Sequence, residues 1–129
     1  MASRYNFSHR HAWANVVLWL SSLSHDAKLL SVTIKSFSDY SKHSPEADEM
    51  DGNHVKLKYT TSWLHSGHHL ELTHKDGQYQ ALIMWDDMTD AARKALDTTD
   101  FYDSKTPFND VNFENNIDEA YPFDKNDEA

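Results

Sequence analysis

Apolar and polar positions follow different periods along this chain. Trp13, Val16, Val17, Leu20 and Leu23 recur at three- and four-residue spacing, with Ala12, Leu18 and Trp19 widening the apolar surface. That spacing predicts a helix from about His9 to Leu23, N-capped by Ser8. Between Leu29 and Phe37, Leu30, Val32 and Ile34 alternate with Ser31, Thr33 and Lys35, the period of a strand. Residues 41–53, with Pro45, Glu46, Asp48, Glu49, Asp51 and Gly52, read as a solvated loop.

The centre carries two turn-forming dipeptides, Ser66-Gly67 and Asp76-Gly77, between three alternating runs. Closing both as two-residue turns pairs Trp63 with Leu70, Thr61 with Leu72, Leu72 with Ala81, and Leu70 with Ile83. Val55, Leu57, Tyr59, Leu70, Leu72, Tyr79, Ile83 and Trp85 then share one face, and Lys56, Lys58, Thr60, His69, Glu71 and Thr73 the reverse. Met88, Ala91, Ala92, Ala95 and Leu96 predict a short second helix with Asp86, Asp87 and Asp90 near its positive end. The expected fold is therefore α+β: an N-terminal helix packed on a three- or four-stranded antiparallel meander, then the short helix. Residues 1–97 form the expected compact domain and 98–129 an acidic aromatic tail, packed or partner-bound.

Charge sharpens that division. The chain has 129 residues, 21 Asp+Glu and 12 Lys+Arg, a net charge of −9. Residues 97–129 hold ten of the acids and only two lysines, so the body is nearly neutral and the tail carries the acidity. A general attraction to phosphate backbones is excluded, and direct nucleic-acid binding is not expected. With no Cys, disulfides, thiol nucleophiles and Cys-ligated zinc are excluded as well.

Nine histidines all lie in the first 74 residues. Across the Ser66-Gly67 turn His65 faces His68, a pair that with His9 or His11 has the donors for Zn²⁺, but the spacing matches no metal motif. No metal or other cofactor is expected. His69 and Glu71, two residues apart on the reverse face with Lys56 or Lys58 nearby, are the best acid–base candidates. No phosphate loop, nucleophile elbow or paired-carboxylate motif accompanies them, so the non-enzymatic reading leads and a small His/Glu-dependent enzyme is the rival.

The tail carries the leading functional reading. Asp100, Phe101, Tyr102, Asp103, Phe108, Asp110, Phe113, Glu114, Asp118, Glu119, Tyr121 and Phe123 interleave carboxylates with rings. Carboxylates at phosphate subsites and rings at base-stacking positions would let such a segment occupy a basic groove. The expectation is a small acidic inhibitor that blocks a basic, nucleic-acid-handling partner protein, a nucleic-acid mimic of phage or mobile-element type. A structural subunit self-associating through the N-terminal helix is the second rival. The apolar run 12–20, followed by Ser22-Leu23-Ser24, resembles a secretory leader, but two Trp and an Asn interrupt so short a run. It cannot span a bilayer, which needs about 20 residues. The expected location is cytoplasmic, with no membrane contact.

Overall fold

The centre of the molecule is a strand that alternates as the sequence does. In the computed structural model, which describes residues 11–36, 39–61, 68–102 and 104–124, β2 spans Leu29–Ser36. Ser31, Val32, Thr33 and Ile34 are all buried, Val32 completely. Antiparallel neighbours flank it, β1 (Val16–Leu20) on one side and β3 (Asp39–His43) on the other. The register sets Val16 opposite Ile34 and Leu18 opposite Val32, and Val32 opposite His43 and Lys35 opposite Tyr40. Leu30 is the extra residue of a bulge where Leu20 pairs with Leu29.

The expected N-terminal helix is thus replaced by β1. Its five residues, Val-Val-Leu-Trp-Leu, are apolar on both faces, a pattern shared by a sunken helix and by a strand covered on both sides. The β-branched Val16 and Val17 and the partner strand β2 decide for the strand. Trp19 and Thr33, neighbours on one face, are joined by a hydrogen bond from Trp19 Nε1 to Thr33 Oγ1 at 3.0 Å.

Residues 41–53 are more ordered than a solvated loop. They complete β3, form a 3-10 turn at Ala47–Glu49, and enter the two-residue strand β4 (Met50–Asp51). β4 pairs with β5 (His54–Val55) across a turn in which Gly52 has φ 59°.

The predicted meander is corrected in two ways. β6 (Leu57–Thr61) and β7 (His68–Leu72) do pair antiparallel, with Leu57 opposite Leu72, Tyr59 opposite Leu70 and Thr61 opposite His68. This register lies four residues from the expected one. An even shift preserves the faces, so Leu57, Tyr59, Leu70 and Leu72 still share one side. Trp63, His65 and the Ser66-Gly67 turn fall outside the described residues. The third strand is absent: residues 73–84 bend at His74 and Lys75 and belong to no sheet. Asp76 turns instead to Lys56 (2.7 Å), His74 to Asp48 (3.0 Å) and the Tyr79 hydroxyl to the Asp51 carboxylate. These pairs draw 74–79 towards the β4–β5 turn and away from β7.

The short helix stands at Asp90–Thr98 (α1), with Thr89 Oγ1 accepting from Ala92 N at 3.2 Å and Arg93 paired to Asp90 at 2.5 Å. A second helix, α2 (Phe113–Ala120), lies in the segment read as an acidic aromatic tail. It packs on β2 and β3; Lys35 Nζ meets Glu119 Oε2 at 3.1 Å, and Lys42 Nζ donates to Pro122 O at 3.2 Å. The result is mostly β-sheet with two short helices, both central or C-terminal.

Candidate functional site

The expected site was the tail, and four of its rings meet Trp13, Trp19 or Trp85. Phe101 meets Trp13 and His11 edge-on at 5.5 and 5.2 Å. Phe108 lies against Trp13 and Trp85 at 5.7 and 6.0 Å; Tyr121 and Phe123 meet Trp19 at 5.4 and 5.9 Å. Several acids serve local structure. Asp100 Oδ1 accepts from Tyr102 N, the Asp110 amide donates to Asp97 Oδ1, the Asp118 carbonyl accepts from Tyr121 N, and Glu119 pairs with Lys35. Tyr102 is exposed, Phe113 and Glu114 line a groove with Asp110, and Asp103 lies outside the described residues. Asp100, Asp110, Glu114, Asp118 and Glu119 are exposed, as are Phe108, Phe113 and Tyr121, while Phe101 and Phe123 are half-buried.

The residues that knit the tail together are ones the composition gave little reason to single out. Buried Asn109 donates to Leu96 O at 3.0 Å and accepts from Asn112 Nδ2. Asn112 Nδ2 also reaches Thr106 O at 3.0 Å, and Asn116 Nδ2 reaches Pro107 O at 2.7 Å. Of the three only Asn116 lies within α2, with Asn112 at its N-cap, so no periodic signal singled them out.

The His69, Glu71 and Lys58 group, by contrast, is assembled. In β6 and β7 Lys58 faces Glu71 and Thr60 faces His69. Glu71 takes Lys58 Nζ on one oxygen at 3.0 Å and His69 Nε2 on the other at 2.9 Å. Lys58 first, and His69 second, hold the Glu71 carboxyl below its ordinary pKa. His69 Nδ1 is buried without a partner among the described residues. Lys56 belongs to Asp76 instead, and that ion pair raises the pKa of Lys56 and lowers that of Asp76.

On the opposite face of the same hairpin, the Tyr59 ring stacks on His68 at 5.3 Å and 5° and remains 57% exposed. His68 is thus committed to a ring contact, and His9 and His65 lie outside the described residues. No cluster of metal-ligating side chains occurs among the described residues. The hairpin presents a row of charged donors and acceptors on one face and an open ring pair on the other.

Comparison with known proteins assigns this arrangement to a family. A family model described as necrosis inducing protein (NPP1) matches residues 1–120. The chain is 44% identical to NLP effector protein 1 of Phytophthora capsici over 114 residues, 88% of this chain and 48% of that protein. It is 42% identical to NLP effector protein 14 of the same organism over 118 residues, covering 90% of this chain and 88% of that protein. Among solved structures, non-toxic HaNLP3 superposes with a TM-score of 0.81 at 40% identity, over 89% of this chain and 54% of that one. NLPPya in complex with glucosamine gives 0.81 at 36% identity, over 91% and 56%. The chain thus spans about half the length of these solved relatives and of NLP effector protein 1.

These likenesses overturn the inhibitor reading. The relatives named above are described as NLP effector proteins, and two related structures were solved with the amino sugars glucosamine and mannosamine, so the expected basic, nucleic-acid-binding partner has no support. Self-association through an N-terminal helix falls with that helix, whose residues 16–20 are a strand. The cytoplasmic location is corrected too, because the relatives are effectors, which act outside the cell that makes them. On the match over residues 1–120 and on these relatives, the chain belongs to the necrosis-inducing protein (NPP1) family.

Proposed function

We propose that this chain acts outside the producing cell as an effector that recognises a sugar-bearing headgroup on plant cell membranes, with the β6–β7 hairpin as its contact. One observation carries the reading: an exposed hairpin holds Lys58, Glu71 and His69 in one hydrogen-bonded row, in a chain related to structures solved with glucosamine and mannosamine. Sugar hydroxyls both donate and accept. The partly exposed Lys58 ammonium and Glu71 carboxylate offer a donor and an acceptor, and His69 fixes the carboxylate from the other side.

The experiment is co-sedimentation with vesicles containing glycosylinositol phosphorylceramide, against vesicles of phosphatidylcholine alone. Preferential binding to the sugar-bearing vesicles is expected, weakened about tenfold or more by Glu71→Gln, since a charged hydrogen bond contributes about 1.5–3 kcal/mol. Equal binding to both vesicles, or full binding by the Glu71→Gln variant, sinks the proposal. Because one structural relative is described as non-toxic, dye release is measured alongside. Binding without release assigns this chain to headgroup recognition without membrane damage.

A further inference from the structure

Lys56, the residue between β5 and β6, is where three segments of the chain meet. Its amide donates to Glu49 O at 2.8 Å, its carbonyl accepts from Thr73 N at 3.1 Å, and its ammonium meets Asp76 Oδ1 at 2.7 Å. The 3-10 turn, the base of the β6–β7 hairpin and the segment after β7 are thereby tied to one residue. Its side chain is only 18% exposed. The hydrogen bond to Asp76, with the fields of Asp51 and Asp48 added to it, raises the pKa of the ammonium, so one cation serves carboxylates from three parts of the chain.

The position of this junction matters to the hairpin. Lys56 lies two residues before Lys58, and Thr73 two after Glu71, so the bond between Thr73 and Lys56 continues the β6–β7 ladder past Leu57 and Leu72. Beyond Thr73, residues 74–80 are all exposed, and no backbone-to-backbone hydrogen bond joins them to another described segment. Polar side chains hold them: Asp76 on Lys56, His74 on Asp48 and the Tyr79 hydroxyl on Asp51, with His54 edge-on to Tyr79 at 5.0 Å. A hairpin of two short strands is marginal by itself. The last rung of this one depends on a segment that charges keep in place.

We propose that Lys56 is a positioning residue for the β6–β7 contact: by holding Asp76, with Asp48 and Asp51 around it, it keeps β7 in register on β6 and so keeps the Lys58 ammonium on Glu71. This role rests on the reading of the hairpin as the recognition surface. The groups that lower the Glu71 pKa are Lys58 and His69. Lys56 is not one of them, so its effect on Glu71 passes through the geometry of the hairpin.

The test is the titration of the Glu71 carboxyl, followed by nuclear magnetic resonance in the full chain and in Asp76→Ser. Taking away the Asp76 carboxylate removes a negative charge, whose field alone would leave the Glu71 pKa unchanged or lower it; a loosened Lys58–Glu71 contact raises it. The expected result is an upward movement towards the ordinary value, repeated in Lys56→Gln and absent in Lys56→Arg, which keeps the cation. The Thr73 amide is expected to exchange about three- to fivefold faster in Asp76→Ser and Lys56→Gln, as for the loss of a charge pair. Asp76 is 92% exposed, so Asp76→Ser keeps the far-ultraviolet circular dichroism of the parent and decides the matter should Lys56→Gln fail to fold. A Glu71 carboxyl that stays or moves down in Asp76→Ser, or an unchanged Thr73 exchange rate, overturns the proposal. Binding to the sugar-bearing vesicles is measured in the same variants. Selective binding by the parent that Asp76→Ser retains in full also overturns it, whereas a parent that does not distinguish the vesicles sinks the recognition reading and leaves the two solution measurements to decide the role of Lys56.

Discussion

Trp19 and Thr33 are joined across β1 and β2 by a 3.0 Å hydrogen bond, and the same indole meets Tyr121 and Phe123 edge-on. One side chain near the start of the described chain thus ties the central sheet to its C-terminal segment. Trp19→Ala is expected to cost about 3 kcal/mol, towards the lower end for a large aromatic because the ring is only part-buried. Trp19→Phe keeps much of the ring contact and loses the hydrogen bond, at about 1–1.5 kcal/mol. Urea unfolding of the two variants separates the contributions; equal losses would mean that the rings contribute little.

Deleting residues 98–129 removes α2, the Lys35–Glu119 pair and the rings that cover Trp13 and Trp19. The remaining sheet would present those indoles to water. The expected result is loss of the near-ultraviolet circular dichroism and of a cooperative thermal transition. A truncated chain that melts as the parent does would show that the tail contributes no stability.

How much of this was legible follows from which residues had a local reason for their conformation. β2 was readable because Val32 and Ile34 alternate with Ser31 and Thr33, and α1 because Met88, Ala91, Ala92, Ala95 and Leu96 keep a helical spacing with Asp86, Asp87 and Asp90 near its start. The faces of β6 and β7 were readable too, since parity survives an even slip. Their register was not, because it depends on the length of the connection between Thr61 and His68. β1 was misread because an apolar run of five fits two periods, and only its pairing with β2 distinguishes them. The third strand was expected from a sound pattern over 78–85; the side chains that hold 74–79 elsewhere, Asp76 on Lys56 and Tyr79 on Asp51, act across 20 residues or more. At the candidate site, the His69–Glu71 juxtaposition followed from strand alternation alone, and the Lys58 contact depended on the register.

Glu71 links the proposed contact to pH. Its folded pKa is depressed below the ordinary 4.5, so its contribution to stability is fully present above that value and is lost as pH falls through the folded one. Because the carboxylate is 42% exposed, solvent screening limits the contribution to under about 1 kcal/mol. Glu71→Gln is therefore expected to lower the urea midpoint slightly at pH 7 and to converge on the parent as pH falls below 4.5. A difference that persists undiminished at low pH would assign the effect to packing instead of charge.

Gly52 and Tyr102 share a left-handed backbone, φ 59° and 61°, and predict opposite signs for substitution. At Gly52 an added Cβ meets nothing within 4 Å, so Gly52→Ala is governed by the backbone alone. The left-handed conformation costs an L-residue about 1–2 kcal/mol, offset by about 0.4–1 kcal/mol from the stiffer unfolded chain. A net loss of roughly 0.5–1 kcal/mol follows. At Tyr102 the strain is already present in the native protein, and the side chain is 77% exposed, so little packing is lost on its removal. Tyr102→Gly relieves the strain, gives back part of the gain to the more flexible unfolded chain, and is expected to raise stability by about 0.5 kcal/mol. The Tyr102 amide keeps its hydrogen bond to Asp100 Oδ1 in either variant, because only the side chain changes. Tyr102→Ala isolates that side chain: it leaves φ positive with a Cβ present and should be nearly neutral. Urea midpoints for the three variants give the result directly. A Tyr102→Gly protein less stable than Tyr102→Ala would show that the ring's contacts, and not its backbone, decide the position.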